Sequence, residues 1–371
     1  MLWTAAIASL ALAMVAVEFY LRATRSVQSL FGDLQEYPEI ASEGWARAFV
    51  HEYEEIVGRG ALAHGLTGDR SDPLLGWDTP GYVRGRTPAE SKPHGTRRIV
   101  AIGDSFTFGD QVETDETFSA RLEEMLPGTE VLNLGVRAYC VGQMLLKLSA
   151  IGTRYDPDVV IFAVYGPDYL RTSLGFYRFA KPRFEIGPDR KDVAVRDTPI
   201  ASREETYERL RAEQWPLSWT FAFFRQELMR SRMWRSWSTH HRVYREESDA
   251  LHEMLLREAR DVARRSGAEI LFVYVPDASE FETPLRVSSD RASFRRLFAG
   301  MGAPRVDLVP ALLARHSPEE IRRRFYVWTG DQAGHFSREG NAAVARILAN
   351  RISGLPELRP SPAVGLQTFA P

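Results

Sequence analysis

A serine stands at a predicted turn between a strand and a helix, in the stretch GDSFTFG of residues 103–109. Residues 99–102 form a short apolar run typical of a buried strand, and residues 116–126 place apolar side chains at helical spacing. In α/β proteins, ligands and catalytic groups lie at the carboxyl ends of strands. The position suits Ser105 for nucleophilic chemistry, and it equally suits a capped turn that only closes a strand–helix unit. The glycine spacing excludes the dinucleotide-binding fingerprint and the P-loop.

A histidine near the end of the chain could serve Ser105 as a general base. His335 directly precedes a predicted helix, with Ser337 as the expected N-cap. Asp331 lies four residues earlier in the same predicted loop, close enough to reach an imidazole nitrogen. A serine nucleophile needs a base to accept its proton and a third group to orient that base. The three residue types fit this chemistry, although an aspartate and a histidine before a helix are also common in loops without catalytic function.

The elements that must position these residues alternate between strands and helices. Further strands are predicted at residues 130–136, 157–166, 269–276 and 304–309, with helices between them. This alternation predicts an α/β fold whose parallel sheet carries helices on both faces.

A long interval at about residues 169–265 interrupts the alternation, because usual connections between elements are much shorter. We predict a helical, aromatic-rich insertion here. Its aromatic residues are Trp215, Trp219, Phe221, Phe223, Phe224, Trp234 and Trp237. The insertion is either a cap or platform that binds substrate through aromatic faces, or a helical pair that packs on the core.

The first 24 residues are predicted to form a transmembrane anchor. Residues 2–17 carry no charge, and the apolar character continues through Leu21 around the single Glu18, which approaches the length of about 20 residues that crosses a bilayer. No basic amino-terminal region or convincing cleavage site is present, so an uncleaved anchor is favoured over a removed signal peptide. Arg22 and Arg25 follow the apolar segment, and the positive-inside rule favours a cytoplasmic position for them.

The rest of the chain divides by composition. Residues 25–96 read as a connector rich in loop residues, residues 97–355 as the main domain, and residues 356–371 as a Pro-rich tail. A formal net charge of −2 gives no basic surplus for nucleic acid. Cys140 is the only cysteine and the histidines show no ligand spacing, so we expect no metal and no cofactor. Composition does not define an oligomeric state.

Four motifs together resemble the SGNH/GDSL hydrolase family. Residues 103–109 match the family's nucleophile block, and the DQAGH stretch that ends at His335 matches its Asp-His block. Residues 132–143 and 165–168 are similar to the second and third blocks. The resemblance covers about residues 97–353. It implies a three-layer, flavodoxin-like fold and ester hydrolysis by Ser105, with His335 as general base and Asp331 orienting it.

The chain departs from the family pattern at three places. Three residues rather than two separate Asp331 from His335. The glycine that offers an oxyanion N–H beside that of Ser105 aligns with Ala138, which keeps this N–H. The asparagine that offers a side-chain donor aligns with Pro167, which has neither the amide nor a backbone N–H. Arg171 could supply a donor instead if that segment is helical.

We therefore expect a serine hydrolase, an esterase or deacetylase that acts on an acyl ester of a small molecule, a glycan or a cell-surface molecule. An acyltransferase that uses the same residues is one alternative, with a sugar hydroxyl in place of water. A binding or assembly protein that keeps the fold with a weakened oxyanion hole is the other. The resemblance implies a catalytic domain outside the cytoplasm, and the Pro167 departure predicts slow turnover.

Overall fold

The computed structural model describes residues 2–24, 38–58, 69–196, 202–213, 219–231, 240–283 and 287–355. The chain divides into two compact units. The helical unit comprises Met1–Pro80, Cys140–Leu146 and Pro167–Leu255, and the sheet unit comprises Gly81–Tyr139, Lys147–Gly166 and Leu256–Pro371.

The helices and strands are numbered in chain order. The helices are α1 (Leu2–Thr24), α2 (Pro38–Gly58), α3 (Ser105–Phe108), α4 (Phe118–Met125), α5 (Val141–Ala150), α6 (Gly166–Arg171), α7 (Arg203–Glu213), α8 (Trp219–Arg230), α9 (His240–Arg265), α10 (Ser289–Gly300), α11 (Leu308–Leu313), α12 (Pro318–Arg324) and α13 (Arg338–Ser353). The strands are β1 (Arg70–Asp72), β2 (Gly76–Asp78), β3 (Arg97–Ile102), β4 (Thr129–Asn133), β5 (Val159–Tyr165), β6 (Phe176–Tyr177), β7 (Phe179–Ala180), β8 (Arg183–Ile186), β9 (Val193–Arg196), β10 (Glu269–Val275), β11 (Arg305–Asp307), β12 (Tyr326–Thr329) and β13 (Gln332–Phe336).

The core of the sheet unit is a five-stranded parallel sheet in the order β11-β10-β5-β3-β4. Val100 of β3 pairs with Leu132 of β4 on one side and with Val160 of β5 on the other. Numbered within the sheet, this order is 2-1-3-4-5, the flavodoxin-like order, in which ligands bind outside the carboxyl ends of the first and third strands. The predicted α/β fold, with a parallel sheet flanked by helices, is confirmed.

The buried side-chain amide of Asn341 links α13, the last helix of the sheet unit, to helix α4. Asn341 in α13 accepts a hydrogen bond from the Phe118 N–H at the start of α4, at 2.9 Å. Its side-chain nitrogen donates to the Phe336 carbonyl at 3.1 Å. Asn341 has no exposed surface. The amide therefore holds the end of β13 beside α4, and β13 carries His335.

The helical unit contains segments that are far apart in the sequence. Phe49 of α2 contacts the rings of Phe176 and Phe179 at centroid distances of 5.7 and 6.0 Å. Trp77 of β2 lies 5.6 Å from the Phe179 ring and is 2% exposed. The described part of the predicted connector therefore supplies a helix and a hairpin with buried aromatic residues. Residues 25–37 and 59–68 of that connector lie outside the described residues, as does the predicted tail.

The predicted aromatic-rich insertion is helical in α7, α8 and α9. Trp219 is buried, whereas Phe221 and Phe224 are exposed. Trp215, Trp234 and Trp237 lie outside the described residues. The amino-terminal helix α1 contains a stretch, Ala6–Thr24, that is long and apolar enough to cross a membrane, a property that signal sequences share.

A buried histidine in the helical unit makes stability depend on pH. The ring of His252 stacks on that of Tyr169 at 3.9 Å and lies 2.9 Å from the Thr172 hydroxyl. Burial lowers the pKa of His252 from 6.5 to about 4. The unfolded chain therefore binds a proton at a pH where the folded chain does not, and the resulting stability is lost as pH falls from 6.5 to 4.

We expect wild type to lose about 3 kcal/mol more unfolding free energy than His252→Gln over this pH range. Urea unfolding of both proteins at several pH values measures the difference. Carboxylates titrate alike in the two proteins and cancel in the comparison. Parallel pH dependences would show that His252 is not buried in its neutral form.

Candidate active site

Ser105 is the first residue of the short helix α3, directly after β3. The Asp104 carboxylate caps this helix by accepting a hydrogen bond from the Phe106 N–H at 2.9 Å. Gly109 ends the helix with φ +78°, and its N–H donates to the Ser105 carbonyl at 2.9 Å. Asp104 is therefore a structural residue of the turn. Because only glycine tolerates this φ well, Gly109 allows the helix to stop after one turn.

Close backbone contacts hold this turn in place. A side chain at Gly103 would place its Cβ 2.7 Å from the Thr107 Cβ and 2.9 Å from the Ala163 carbonyl oxygen. A side chain at Gly135, after β4, would lie 2.7 Å from the Thr107 carbonyl carbon. The buried Asn133 amide donates to that same Thr107 carbonyl at 2.8 Å. The turn that carries Ser105 is therefore packed against neighbouring backbone with no room to shift.

His335 reaches Ser105 from a hairpin rather than from the predicted loop. Strands β12 and β13 pair in antiparallel fashion, with Tyr326 opposite Phe336 and Trp328 opposite Ala333. Between these two pairs β12 advances two residues and β13 advances three, so β13 contains a bulge at residues 334–335. Bulges re-aim side chains next to active sites. Compared with the family spacing, one extra residue separates Asp331 from His335, and the bulge in β13 accommodates it.

The imidazole of His335 lies between Ser105 and Gln111. Its Nε2 is 2.7 Å from the Ser105 Oγ, and its Nδ1 is 3.2 Å from the Gln111 Oε1. The His335 backbone N–H also donates to this Oε1, at 2.8 Å. A backbone N–H can only donate, so the Gln111 atom is the amide oxygen, which can only accept. Nδ1 therefore carries the proton, and Nε2 is free to accept the hydroxyl proton of Ser105.

Gln111 holds an unusual backbone conformation to make these contacts. Its φ is +70°, in the left-handed region that costs a non-glycine residue roughly 1–3 kcal/mol. Its amide carbon would lie 2.9 Å from a Cβ at position 334, so any side chain there would displace the Gln111 amide from its present position. Phe106 supports the opposite side of His335, with the two ring centroids 4.9 Å apart. Two residues that the sequence did not predict, Gln111 and Gly334, thus shape the histidine site.

The structure does not bring Asp331 to His335. Asp331 and Gly330 form the two-residue turn between Thr329 and Gln332, and Asp331 is exposed. Strand residues rise about 3.3 Å each, so four residues of β13 separate the two Cα atoms by roughly 13 Å. An aspartate side chain cannot span this distance. The prediction that Asp331 orients the imidazole assumed a compact loop, and the extended hairpin places Gln111 there instead.

Ala138 lies in a turn after β4, where Val136 accepts a hydrogen bond from the Tyr139 N–H at 3.3 Å. Its φ is +65°, in the left-handed region that favours glycine. Ala138 is buried. The chain therefore keeps the backbone shape of the predicted oxyanion turn with a residue that is strained in it.

Two arginines join the nucleophile turn to its surroundings. Arg84 donates to the Phe108 and Gly109 carbonyls and to the Val112 carbonyl, the last at 2.7 Å. Arg137, next to Ala138, pairs with Asp110 at 2.8 Å. The two guanidinium groups lie 4.2 and 3.9 Å from the Phe108 ring centroid.

Burial, together with the nearby Arg137 charge, lowers the pKa of the Arg84 guanidinium. Arg84 neutralises the carbonyl end of the one-turn helix that Ser105 begins, because carbonyl dipoles there favour a cation. Arg137 links Asp110, which follows this helix, to the turn that contains Ala138. The pair of arginines therefore fixes the nucleophile turn and the candidate oxyanion turn as one rigid piece.

Pro167 and Arg171 belong to the helical unit. Both lie in α6, so the segment is helical as the Arg171 hypothesis requires. Arg171 pairs with the fully buried Asp168 at 3.0 Å, and its guanidinium lies 4.7 Å from the Tyr177 ring centroid. The Arg171 guanidinium therefore contacts other residues of the helical unit. Within the described residues, no group of three or more His, Cys, Asp or Glu side chains is placed to hold a metal ion.

No protein-family model matches the chain, and no curated protein matches its sequence at a significant level. Solved structures are similar to it. Axe2, an acetylxylan esterase from Geobacillus stearothermophilus, is 14% identical over 72% of this chain and 99% of Axe2, with a TM-score of 0.39. A lipolytic protein of the G-D-S-L family from Desulfitobacterium hafniense is 14% identical over 69% of this chain and 99% of its own, with a TM-score of 0.35.

Both have 14% identity and TM-scores below 0.5, so the fold and the activity of this chain rest on its own residues.

The strain at Ala138 gives a stability prediction. Left-handed backbone destabilises the folded state by about 1–2 kcal/mol at a non-glycine residue, and glycine removes this strain. Glycine also gives the unfolded chain more conformational freedom, which lowers the unfolding free energy by about 0.4–1 kcal/mol. Ala138→Gly should therefore raise the unfolding free energy by about 0.5 kcal/mol. Ala120→Gly in helix α4 is the matched control and should lower it by about 1 kcal/mol. Denaturant unfolding measures both, and a loss at both positions would refute the strain at Ala138.

Proposed function

We propose that this chain is a serine esterase of the SGNH type that uses Ser105 as nucleophile and His335 as general base. The observation that carries the proposal is the 2.7 Å approach of the His335 Nε2 to the Ser105 Oγ. The two residues are 230 positions apart in the sequence and meet at the carboxyl edge of the sheet. That edge is where α/β sheets bind their ligands.

The chemistry follows from this pair. The Ser105 Oγ attacks the ester carbonyl carbon while His335 Nε2 takes the hydroxyl proton. The backbone N–H groups of Ser105 and Ala138 would stabilise the oxyanion that forms. When the tetrahedral intermediate collapses, His335 returns the proton to the leaving alcohol and an acyl-Ser105 ester remains. Water, deprotonated by His335, attacks this ester; as the acyl–Oγ bond breaks, His335 returns the proton to the Ser105 Oγ and the carboxylic acid is released.

Gln111 takes the place of the third triad member in this proposal. Its amide oxygen orients the imidazole and selects the reactive tautomer, as a carboxylate would. A neutral amide gives less stabilisation than a carboxylate to the imidazolium that forms during attack. Pro167 also removes one donor that the family uses, and each such donor is worth roughly 10²–10³ in kcat. We therefore propose slow turnover on generic esters.

Acyl transfer remains an alternative with the same residues, because the acyl-Ser105 ester can be attacked by an acceptor hydroxyl instead of water. A catalytically weakened binding protein is the alternative from another class, and the neutral Gln111 and Pro167 favour it. A serine-directed phosphonate separates this alternative from the enzyme proposals, since only an activated Ser105 reacts with it. The choice between a glycan ester and a smaller acyl ester rests on the sequence resemblance alone.

We propose that α1 stays attached and anchors the chain in a membrane. Leu21, near its end, is 3% exposed and forms a buried cluster with Trp219 and Ala222. A signal peptide that is removed would take part of this cluster with it, which argues against cleavage. An extracytoplasmic position for the catalytic domain follows from the family resemblance, and Arg22 opposes it.

The Ser105–His335 pair predicts a loss of activity in either single variant. Ser105→Ala and His335→Ala should each lower kcat on an aryl acetate by about 10³-fold or more. The double variant should be scarcely slower than either one, because the two groups act as a unit. Full activity in Ser105→Ala would refute the nucleophile, and equal phosphonate labelling of wild type and His335→Ala would refute the base.

The hairpin geometry predicts opposite results for the two candidates to orient His335. Asp331→Ala should leave kcat within about twofold, whereas Gln111→Ala should lower it by about 10- to 100-fold by releasing the imidazole. Gln111→Glu places a carboxylate on Nδ1, which favours the imidazolium and should move the acidic limb of the kcat/KM profile to higher pH. A large loss in Asp331→Ala with an unchanged Gln111→Ala would restore the family arrangement.

A further inference from the structure

Helix α8 of the helical unit carries an exposed apolar stripe. Phe221, Phe224 and Leu228 are 68%, 60% and 54% exposed. Their spacing of three and four residues places them on one side of the helix. The other side is buried, with Trp219 and Ala222 packed against Leu21 of α1. The stripe is thus a surface face of a helix whose opposite face is fixed to the apolar amino-terminal helix.

Glu18 of α1 pins the start of α8. Its two carboxylate oxygens accept hydrogen bonds from the backbone N–H groups of Trp219 and Thr220, at 3.1 and 2.9 Å, and from the Thr220 hydroxyl at 2.9 Å. Arg22 pairs with the same carboxylate at 2.9 Å. A carboxylate at the first N–H groups of a helix is favoured by the helix dipole. The one acidic residue of α1 therefore has a structural role, and it fixes where α8 begins along α1.

The position of Glu18 places α8 at the edge of a bilayer. The charge-free segment of residues 2–17 is 16 residues long by sequence. At about 1.5 Å per residue it spans roughly 24 Å, less than the hydrocarbon thickness of about 30 Å. Glu18 therefore lies near one boundary of the hydrocarbon, and α8 starts at the same level. Phe19 and Tyr20, 70% and 65% exposed, lie there too.

We propose that α8 is an interfacial helix, which inserts its Phe221–Phe224–Leu228 stripe into the membrane leaflet where α1 ends. The proposal rests on the anchoring of α1 in a membrane. The occupant of the stripe is the lipid of that leaflet, because α8 starts at the level of Glu18 on α1, where Phe19 and Tyr20 are also exposed. Aromatic side chains at the level of the headgroups are typical of such boundaries.

Depth-dependent fluorescence quenching tests the proposal on the full chain in phosphatidylcholine–phosphatidylglycerol vesicles. Single cysteines at Phe224, Leu10 and the exposed Ala212 of α7 are labelled with an environment-sensitive dye. Cys140 is fully buried, and wild type measures its background labelling. Lipids that carry a quencher near the headgroup should quench the dye at 224 at least about twofold more than the dye at 212. Lipids quenched deep in the acyl chains should act mainly on the dye at position 10.

The outcomes separate the possible failures. If position 10 is quenched and position 224 is as unquenched as 212, the anchor holds and the interfacial helix is refuted. A dye at 224 shielded from aqueous iodide but not quenched by lipid would mean that protein, such as a second copy of the chain, covers the stripe. No quenching at position 10 would refute the anchor itself.

The role of Glu18 is tested in the same assay. Glu18→Ala removes the carboxylate from the start of α8 and should lower the quenching at 224 by about half, while position 10 stays quenched. Arg22→Gln is the matched control, because it removes a charge at the same level without touching the α8 N–H groups. Equal quenching at 224 in wild type and Glu18→Ala would show that Glu18 does not position the helix.

Discussion

The candidate active site depends on backbone packing around one short turn. Gly103 and Gly135 let neighbouring backbone approach the one-turn helix that Ser105 begins, and Asn133 adds a hydrogen bond to its Thr107 carbonyl. The position of Ser105 is thereby fixed by the backbone that surrounds its turn. A preorganised nucleophile needs such support, since a displacement of about 1 Å can cost 100-fold in rate. The two arginines that flank Phe108 extend the same rigidity to the turn of Ala138.

The histidine reaches this fixed serine by a different device. A β-bulge in the hairpin turns the His335 imidazole toward Ser105, and Gly334 leaves room for the Gln111 amide on the other side. In a serine hydrolase, one carboxylate normally both orients the imidazole and stabilises the imidazolium charge, and here these two effects are separated. Gln111 supplies the first through a hydrogen bond and cannot supply the second. In the proposed serine hydrolase, the described residues thus give the histidine a neutral amide partner on Nδ1 instead of a carboxylate.

Different interactions fix the key residues of the helical unit and of the sheet unit. In the helical unit, Glu18 satisfies the N–H groups that begin α8 and joins two apolar surfaces, that of α1 and that of the exposed stripe. A charge placed among apolar residues is costly unless it is hydrogen-bonded. Its presence in α1 is explained by the partner that it caps. In the sheet unit, by contrast, burial and close packing fix the residues proposed for chemistry.

The sequence by itself determined the alternating α/β pattern and the place of Ser105 after a strand, because strand periodicity and turn glycines are local signals. The pairing of Ser105 with His335 and the alignment of Ala138 with a glycine were expected from the resemblance to a known family. The hairpin of β12 and β13, and with it the separation of Asp331 from His335, has a local signal in the Gly330-Asp331 turn, whereas the approach of the imidazole to Ser105 depends on tertiary contacts. Gln111 and Glu18 meet partners 224 and about 200 residues away, so only tertiary contacts could assign their roles.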